Sequence, residues 1–464
     1  MIQTDWRDIP EEQIFSLIEE LDIRGPRYTS YPTVPVWKAP LNRDAFVNTL
    51  GRLGQDEKAI AVYLHLPFCR QRCLYCGCNA HITHDDARMH RYMDALETEI
   101  RRVTSEFKFP VKHSQLHLGG GTPTYVPTKR LAQVLDLVIE KIPGAENFDR
   151  SIEVDPRVTT DEHLDLLAER GFTRISAGLQ DLNADVQAAV RREYTFQEIS
   201  EFIERARVRG FQSVNIDLIY GLPRQTRDTW RETVASIATL RPDRLACFGY
   251  AHLPARMKHQ RAINEDVLPS SRDRLGMLLD ANRIFGETGY AAIGMDHFAL
   301  PDDDLSVAQS QGRLWRNFMG YTTTRGLELL GLGCSGISEF TDLFAQNIPL
   351  PEAYATVIED GKLPLERGHE LSSDDRATKQ IINHLMCNLD VALPENSYAL
   401  GEDFVLRMQN AMQQIGSFEA RGLVTKTETG YRVTPLGQLF VRNLAMPFDR
   451  YLGEQANVVF SKTV

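Results

Sequence analysis

The sequence holds no apolar run approaching about 18 residues, so it offers no helix that could cross a bilayer. Its start, Met1 to Glu12, is polar and acidic and lacks the basic and apolar regions of a secretion signal. Low-complexity tracts are absent, and so is any internal repeat beyond strand–helix units. Positive charge is in deficit: 52 Lys and Arg against 63 Asp and Glu give a formal net charge of −11. That balance excludes a general nucleic-acid surface, although local arginines can still take an anionic small molecule. Cysteine is scarce and odd in number. Three of the seven, Cys247, Cys334 and Cys387, stand alone in apolar surroundings and read as small buried hydrophobes. This is the usage of a reducing compartment, not of a disulfide framework, and a cytoplasmic protein is expected.

The other four cysteines crowd into one stretch, Tyr63-Leu-His-Leu-Pro-Phe-Cys-Arg-Gln-Arg-Cys-Leu-Tyr-Cys-Gly-Cys-Asn-Ala80. Cys69, Cys73 and Cys76 are spaced C-x3-C-x2-C. The apolar run Ile60 to Leu66 before them reads as a buried strand that Pro67 stops, so the cysteines open a loop at its C-terminal end. Thiolates this close on a loop are metal ligands first. Structural zinc sites close with four ligands in two separated pairs, and no second C-x-x-C follows downstream. Three thiolates suit a four-iron cluster with one iron open to a substrate or cofactor. Cys78, a single residue beyond Cys76, reaches poorly for a separate iron and is left free. A structural zinc knuckle or buried thiols remain the plain alternatives.

With 464 residues the chain exceeds one ordinary domain. From residue 59 to about 300, short apolar runs alternate with helical periods: Ile60–Leu66, Gln115–Leu118, Ser151–Val154, Arg174–Leu179, Val214–Tyr220 and Arg244–Tyr250 are the runs. That order implies a parallel sheet with helices outside, and six units predict an open, partial (β/α)6 barrel. Chemistry is then expected at the C-terminal strand ends. Three regions are expected: an N-terminal extension over 1–58, the barrel over 59–345 and a mainly helical domain over 346–464. In the last, helical periods at Arg376–Met386 and Phe404–Gly416, a hairpin over Leu423–Val433 and a final helix Pro435–Ala445 suggest a winged-helix-like module. It lacks the basic stripe of a DNA binder. In the extension, Arg24-Gly-Pro-Arg27-Tyr-Thr-Ser-Tyr-Pro32 is a packed surface arm, or one that brings Arg24 and Arg27 to a carboxylate-rich ligand.

Each strand end carries a polar or glycine-rich group. Gly119-Gly120-Gly121-Thr122 follows the second run, where glycines permit close backbone approach and leave amides free for a ligand. Glu153-Val154-Asp155-Pro156 follows the third, Gln180-Asp181 and then Arg191-Arg192 the fourth, and Tyr250-Ala251-His252 the sixth. Asp217 falls inside the apolar fifth run, where an unpaired carboxylate is costly, so it either pairs structurally or serves a site.

The cysteine spacing after a first strand resembles the signature of radical S-adenosylmethionine (SAM) enzymes. The wider string, Tyr63-x-His65-x-Pro67-Phe68-Cys69 through Cys76-Gly77-Cys78-Asn79, resembles more narrowly the oxygen-independent coproporphyrinogen III oxidases, and the likeness extends from the Arg-Tyr-Thr-Ser-Tyr-Pro arm to the C-terminal domain. The resemblance implies a radical-SAM partial barrel and a [4Fe–4S] cluster on Cys69, Cys73 and Cys76 with one iron free of protein. It implies two SAM molecules, one touching Tyr63, Gly120 and Glu153, the other Tyr75, Gly121, Thr122, Gln180, Arg192, Asp217, Ala251 and Ile337. Tyr63 and Cys78 become candidate catalytic residues, and His297 a candidate substrate contact. The implied reaction turns two propionates of coproporphyrinogen III into vinyl groups, giving protoporphyrinogen IX by a 5′-deoxyadenosyl radical. The expected partner is a flavodoxin- or ferredoxin-type reductant, with no nucleic acid or membrane, and the expected state a monomer. Leu118 and Leu74 stand where the family often has aromatics. The alternatives are a haem chaperone or haem-degrading methyltransferase of the same superfamily, a non-catalytic iron–sulfur scaffold, and a winged-helix regulator.

Overall fold

The computed structural model describes the chain except residues 1–6, 8, 394–398, 456–459, 461, 462 and 464. Contacts divide it into two compact units, one of residues 38–288 with 327–368, the other of 1–37, 289–326 and 369–464.

The first unit is built on the six expected strands, β1 (Ile60–Leu66), β2 (His113–Gly120), β3 (Gly144–Val154), β4 (Arg174–Gln180), β5 (Ser213–Tyr220) and β6 (Arg244–Gly249). Each pairs in parallel with the next. Helices return the chain between them: α1 (Asp86–Ser105), α2 (Thr128–Lys141), α3 (Asp161–Glu169), α4 (Ala184–Val190), α5 (Phe196–Val208) and α6 (Arg227–Thr239). Polar caps start these helices where the strand-end loops finish. Asp85 accepts from the amides of Ala87 and Arg88, and Thr160, Thr195 and Thr226 each close a capping box.

The sheet does not stop at β1. Leu329–Leu332 (β7) pairs with β1 in parallel, and Ile337–Glu339 (β8) and Leu343–Asn347 (β9) follow antiparallel. With Leu365–Glu370 (β10), the order within this unit is β10-β9-β8-β7-β1-β2-β3-β4-β5-β6. Buried Glu99 on α1 fastens the added strands. It accepts from the Gly333 amide at 2.7 Å, from Asn347 Nδ2 at 2.7 Å and from the Tyr354 hydroxyl at 2.6 Å. Burial nonetheless raises its carboxyl to about 7.

The second unit gathers three distant pieces. Tyr28 and Tyr31 of the arm bury in one core with Leu385, Met408, Ile415, Val433, Leu444 and Phe448. Arg442 donates to the carbonyls of Gly25 and Pro26, and Asn443 Nδ2 donates to that of Leu21 at 2.7 Å. The stretch 1–58 is therefore shared: up to residue 37 it joins the C-terminal core, while Phe46 and Leu50 bury in the first unit. Likewise the strands of 343–347 and 365–368 extend the sheet, so the stretch from 346 is not helical throughout. The hairpin Val424–Lys426 and Gly430–Val433 gains a third strand, Asp390–Ala392. The expected helix Pro435–Ala445 is broken into Pro435–Gln438 and Val441–Ala445. Phe440 leaves the helical region at φ −114° and buries completely.

Candidate active site

Period-two alternation puts one polar row on one face of the sheet. Along β5, Asn215 and Asp217 face one side while Val214, Ile216, Leu218 and Tyr220 are buried on the other. The register sets Tyr63 beside His117, His117 beside Ser151, Glu153 beside Ser176 and Ser176 beside Asn215. At the C-terminal ends of these strands lies a cavity of about 290 Å³, lined by Cys69, Cys73, Tyr75, Cys76, Cys78, Gly120, Gly121, Thr122, Glu153, Asp155, Arg157, Ser176, Gln180, Arg192 and Asp217.

The cysteine loop is held from several sides. The His81 amide donates to the Pro67 carbonyl at 2.6 Å and that of Cys76 to Cys73 at 3.2 Å. Leu74 buries among Val186, Val190, Leu222 and Tyr250, which explains an aliphatic side chain between the second and third cysteines. His259 Nε2 lies 2.7 Å from the Cys76 carbonyl. Among the described residues no three side chains converge to hold a single metal ion; the loop thiols line the cavity separately. Cys69 Sγ is 3.4 Å from Thr122 Oγ1, and burial pushes its thiol up to about 11. A hydrogen bond from Cys78 holds Cys76 down at about 6, and the same bond pushes Cys78 up.

The glycine segment serves a different purpose from the expected one. Its amides are not free. Gly120 N–H donates to Glu153 Oε2 at 3.3 Å, Gly121 N–H to Leu66 at 2.8 Å and Thr122 N–H to Phe68 at 2.9 Å. The stretch continues the parallel ladder and ties down the start of the cysteine loop. What demands glycine is crowding. A Cβ on Gly120, at φ +116°, would meet the His65 ring at 2.6 Å, and one on Gly121 would meet the Pro67 backbone at 2.6 Å.

Tyr63 is oriented by a relay. His65 Nε2 lies 3.1 Å from the Asn79 carbonyl, which can only accept, so Nδ1 accepts from the Tyr63 hydroxyl at 3.0 Å. Burial holds His65 neutral, down to about 4. His117 stacks on Tyr63, bonds Ser151 Oγ at 2.8 Å and sits 3.6 Å from Glu153. Burial works against the Glu153 charge, but His117 and the Gly120 amide overcome it and hold the carboxyl below its usual range. Asp217 behaves oppositely. It accepts from Asn215 Nδ2 at 2.7 Å and Ser176 Oγ at 3.4 Å, and burial together with the Glu153 charge raises it to about 7.

Arg192 is buried and committed to the protein. It donates to the Gly178 carbonyl at 2.7 Å, to Cys73 Sγ at 3.5 Å and to Asp155 at 3.2 Å. Arg157 and Tyr194 complete the cage around Asp155, and against the cost of burial these partners hold its carboxyl down at about 2. Gln180 ends β4 at φ +78°, with Oε1 lacking any hydrogen-bond partner. A non-glycine residue in that conformation, with an orphaned buried acceptor, marks a place prepared for a ligand.

Most of the sequence-derived residues therefore meet at one cavity. Tyr63 stands behind its wall, its hydroxyl 3.1 Å from where a Gly119 Cβ would lie, beside Glu153. Ala251 and Ile337 do not line it; the Ala251 carbonyl is tied through Gln260 to that of Tyr75. Arg24 and Arg27 belong to the other unit, where Arg24 donates to the Phe460 carbonyl at 3.2 Å and Arg27 pairs with Asp296. His65, Asn79 and Asp155 stand in the strings read from the sequence without a role of their own, and His117, Arg157, Ser176, Tyr194 and Asn215 were not singled out. Alternation along β1 and β5 was the available signal for His65 and Asn215.

These features are those of a radical SAM enzyme, and residues 63–237 match the radical SAM superfamily while 371–440 match the HemN C-terminal domain. The oxygen-independent coproporphyrinogen III oxidase of Escherichia coli is 40% identical over 467 residues, covering 100% of this chain and 99% of its own length. That of Pseudomonas aeruginosa is 39% identical over 450 residues, covering 97% and 98%. The solved structure of coproporphyrinogen III oxidase (HemN) from Escherichia coli superposes with a TM-score of 0.88 at 38% identity, over 94% of this chain and 99% of the other. The chain belongs to the family of oxygen-independent coproporphyrinogen III oxidases. The family's [4Fe–4S] cluster and SAM fit the residues present: separate loop thiols, an ionised Glu153 and the unpartnered Gln180 acceptor.

Proposed function

We propose that this protein decarboxylates two propionate side chains of coproporphyrinogen III oxidatively, without oxygen, to the vinyl groups of protoporphyrinogen IX. The observation that carries this reading is likeness to such oxidases along the whole chain, with the cysteine loop and the polar strand ends intact. When bound, the cluster and SAM supply the electron and the carbon radical that removes hydrogen from the propionate β-carbon. Each propionate then loses CO2, passes one further electron to a separate one-electron acceptor and becomes a vinyl group.

The chain's own residues bind and orient. In this reading Cys69, Cys73 and Cys76 hold three irons and leave the fourth to the first SAM, which Tyr63, Gly120 and Glu153 flank. An ionised Glu153 suits ribose hydroxyls or an ammonium group. A second SAM would touch Tyr75, Gly121, Thr122, Gln180, Arg192, Asp217, Ala251 and Ile337. The Tyr63–His65–Asn79 relay fixes the Tyr63 hydroxyl proton toward His65. Cys78 stays off the cluster. A cytoplasmic monomer reduced by a flavodoxin- or ferredoxin-type protein completes the reading, since free thiols are kept in a reducing compartment.

The test is anaerobic turnover of reconstituted protein with dithionite, SAM and coproporphyrinogen III. Both 5′-deoxyadenosine and protoporphyrinogen are expected. No 5′-deoxyadenosine overturns the radical chemistry; 5′-deoxyadenosine without protoporphyrinogen moves the chain to a haem-handling relative.

A further inference from the structure

In the unit of residues 1–37, 289–326 and 369–464, polar side chains from three stretches meet around Tyr321. Arg316 and Tyr321 are cross-strand partners in the hairpin Trp315–Asn317 and Gly320–Thr322, so they share a face. The Arg316 guanidinium carbon lies 5.2 Å from the Tyr321 ring centre, and the His297 ring meets the same tyrosine edge-on at 5.1 Å. Arg27 pairs with Asp296 beside them, close enough for both charges to act on the Tyr321 phenol.

Arg316 is only 8% exposed, yet no carboxylate pairs with it among the described residues. One terminal nitrogen is 3.8 Å from the Met295 sulfur, a weak acceptor, and its Nε has no acceptor at all. The buried Tyr321 hydroxyl is also unpartnered. Its position is not accidental: Asn383 accepts from the Arg316 amide at 3.2 Å and donates to its carbonyl at 2.6 Å, which fixes the strand that carries it. The cluster thus holds two guanidinium groups and one carboxylate. A buried guanidinium without a counter-charge is costly, and a tyrosine face compensates it only in part. Both unmet groups offer hydrogens, and a carboxylate offers only acceptors.

We propose that Arg316 and Tyr321 receive a carboxylate of the tetrapyrrole, one that is retained in the product. The assignment rests on the function proposed above. A carboxylate held in charge-assisted bonds is stabilised as the anion, which opposes loss of CO2 and suits a propionate that anchors instead of reacting.

Binding of coproporphyrin III, the air-stable fluorescent tetracarboxylate, and of its tetramethyl ester tests this without turnover. Wild type should prefer the acid. Arg316→Met should weaken the acid by ~10- to 100-fold, the worth of a lost charge-assisted bond, and leave the ester, the iron content and SAM affinity unchanged. Tyr321→Phe guards against misfolding. Removing a buried, unpartnered hydroxyl should keep or raise Tm while weakening the acid by roughly 3-fold or more. If wild type makes protoporphyrinogen and Arg316→Met binds the acid as wild type does, the carboxylate assignment falls alone. If wild type neither binds coproporphyrin nor makes protoporphyrinogen, the functional reading falls and takes the assignment with it.

Discussion

The cavity of the first unit and the polar cluster of the second are assembled in opposite ways. Around the cavity, many side chains sit on a strand or just past its end, and the ladder register alone puts Glu153 beside Ser176 and Ser176 beside Asn215. Around Tyr321, Arg27 reaches Asp296 across 269 residues of sequence, and Asn383 reaches Arg316 across 67. Most residues proposed to hold the cofactor follow from local pattern, whereas those proposed to meet a substrate's charge depend on how distant stretches of the chain come together.

The largest effect is expected at the cysteine loop. Cys73→Ala should lose the iron and with it all turnover, while the second unit's core, read by amide hydrogen exchange at Tyr28 and Tyr31, stays native. Cys78→Ala should keep the iron; if iron absorbance is lost there too, the three-ligand count is wrong. A smaller but still large effect is expected at Asp155. Its removal strands Arg157 and Arg192 in a buried place, and Asp155→Ala should cost about 3–5 kcal/mol in denaturant unfolding.

In the second unit the matching cut is Arg442→Ala, which frees the Gly25 and Pro26 carbonyls. It should cost roughly 1–3 kcal/mol and speed amide exchange in residues 25–31, with SAM cleavage by the first unit preserved. Equal loss of both functions would mean that the two units do not fold as separable bodies.

The smallest effect concerns pH. Asp217 is raised from the usual carboxylate range to about 7, so the folded state favours its protonated form. Its contribution to stability is fully present below about pH 4, declines as pH rises toward 7 and levels off above that. Asp217→Asn should therefore gain stability relative to wild type between pH 4 and 7, measured by urea unfolding at each pH. A flat difference would mean that Asp217 is ionised throughout.

Six parallel strands and the polar groups at their ends were legible because alternating apolar runs, helix caps and a proline-stopped first strand are local signals. Asp217 was legible too, as a carboxylate within an apolar run. The Asp155 cage was not, because its partners come from a loop after β3 and from the turn after α4, and only folding brings them together. Nor could the sequence reveal that the Gly120, Gly121 and Thr122 amides are consumed by the ladder. That depends on register with β1. The added strands β7 to β10 and the division of the N-terminal segment at residue 37 are likewise set by long-range packing of Leu329, Phe46, Tyr28 and Tyr31.

Iron spectroscopy reports whether one corner of the cluster is left open. In Mössbauer spectra of the reconstituted cluster, one iron of four should change its parameters when SAM is added, equally in wild type and in Cys78→Ala. Four irons that are all capped by protein and do not respond to SAM would contradict the account.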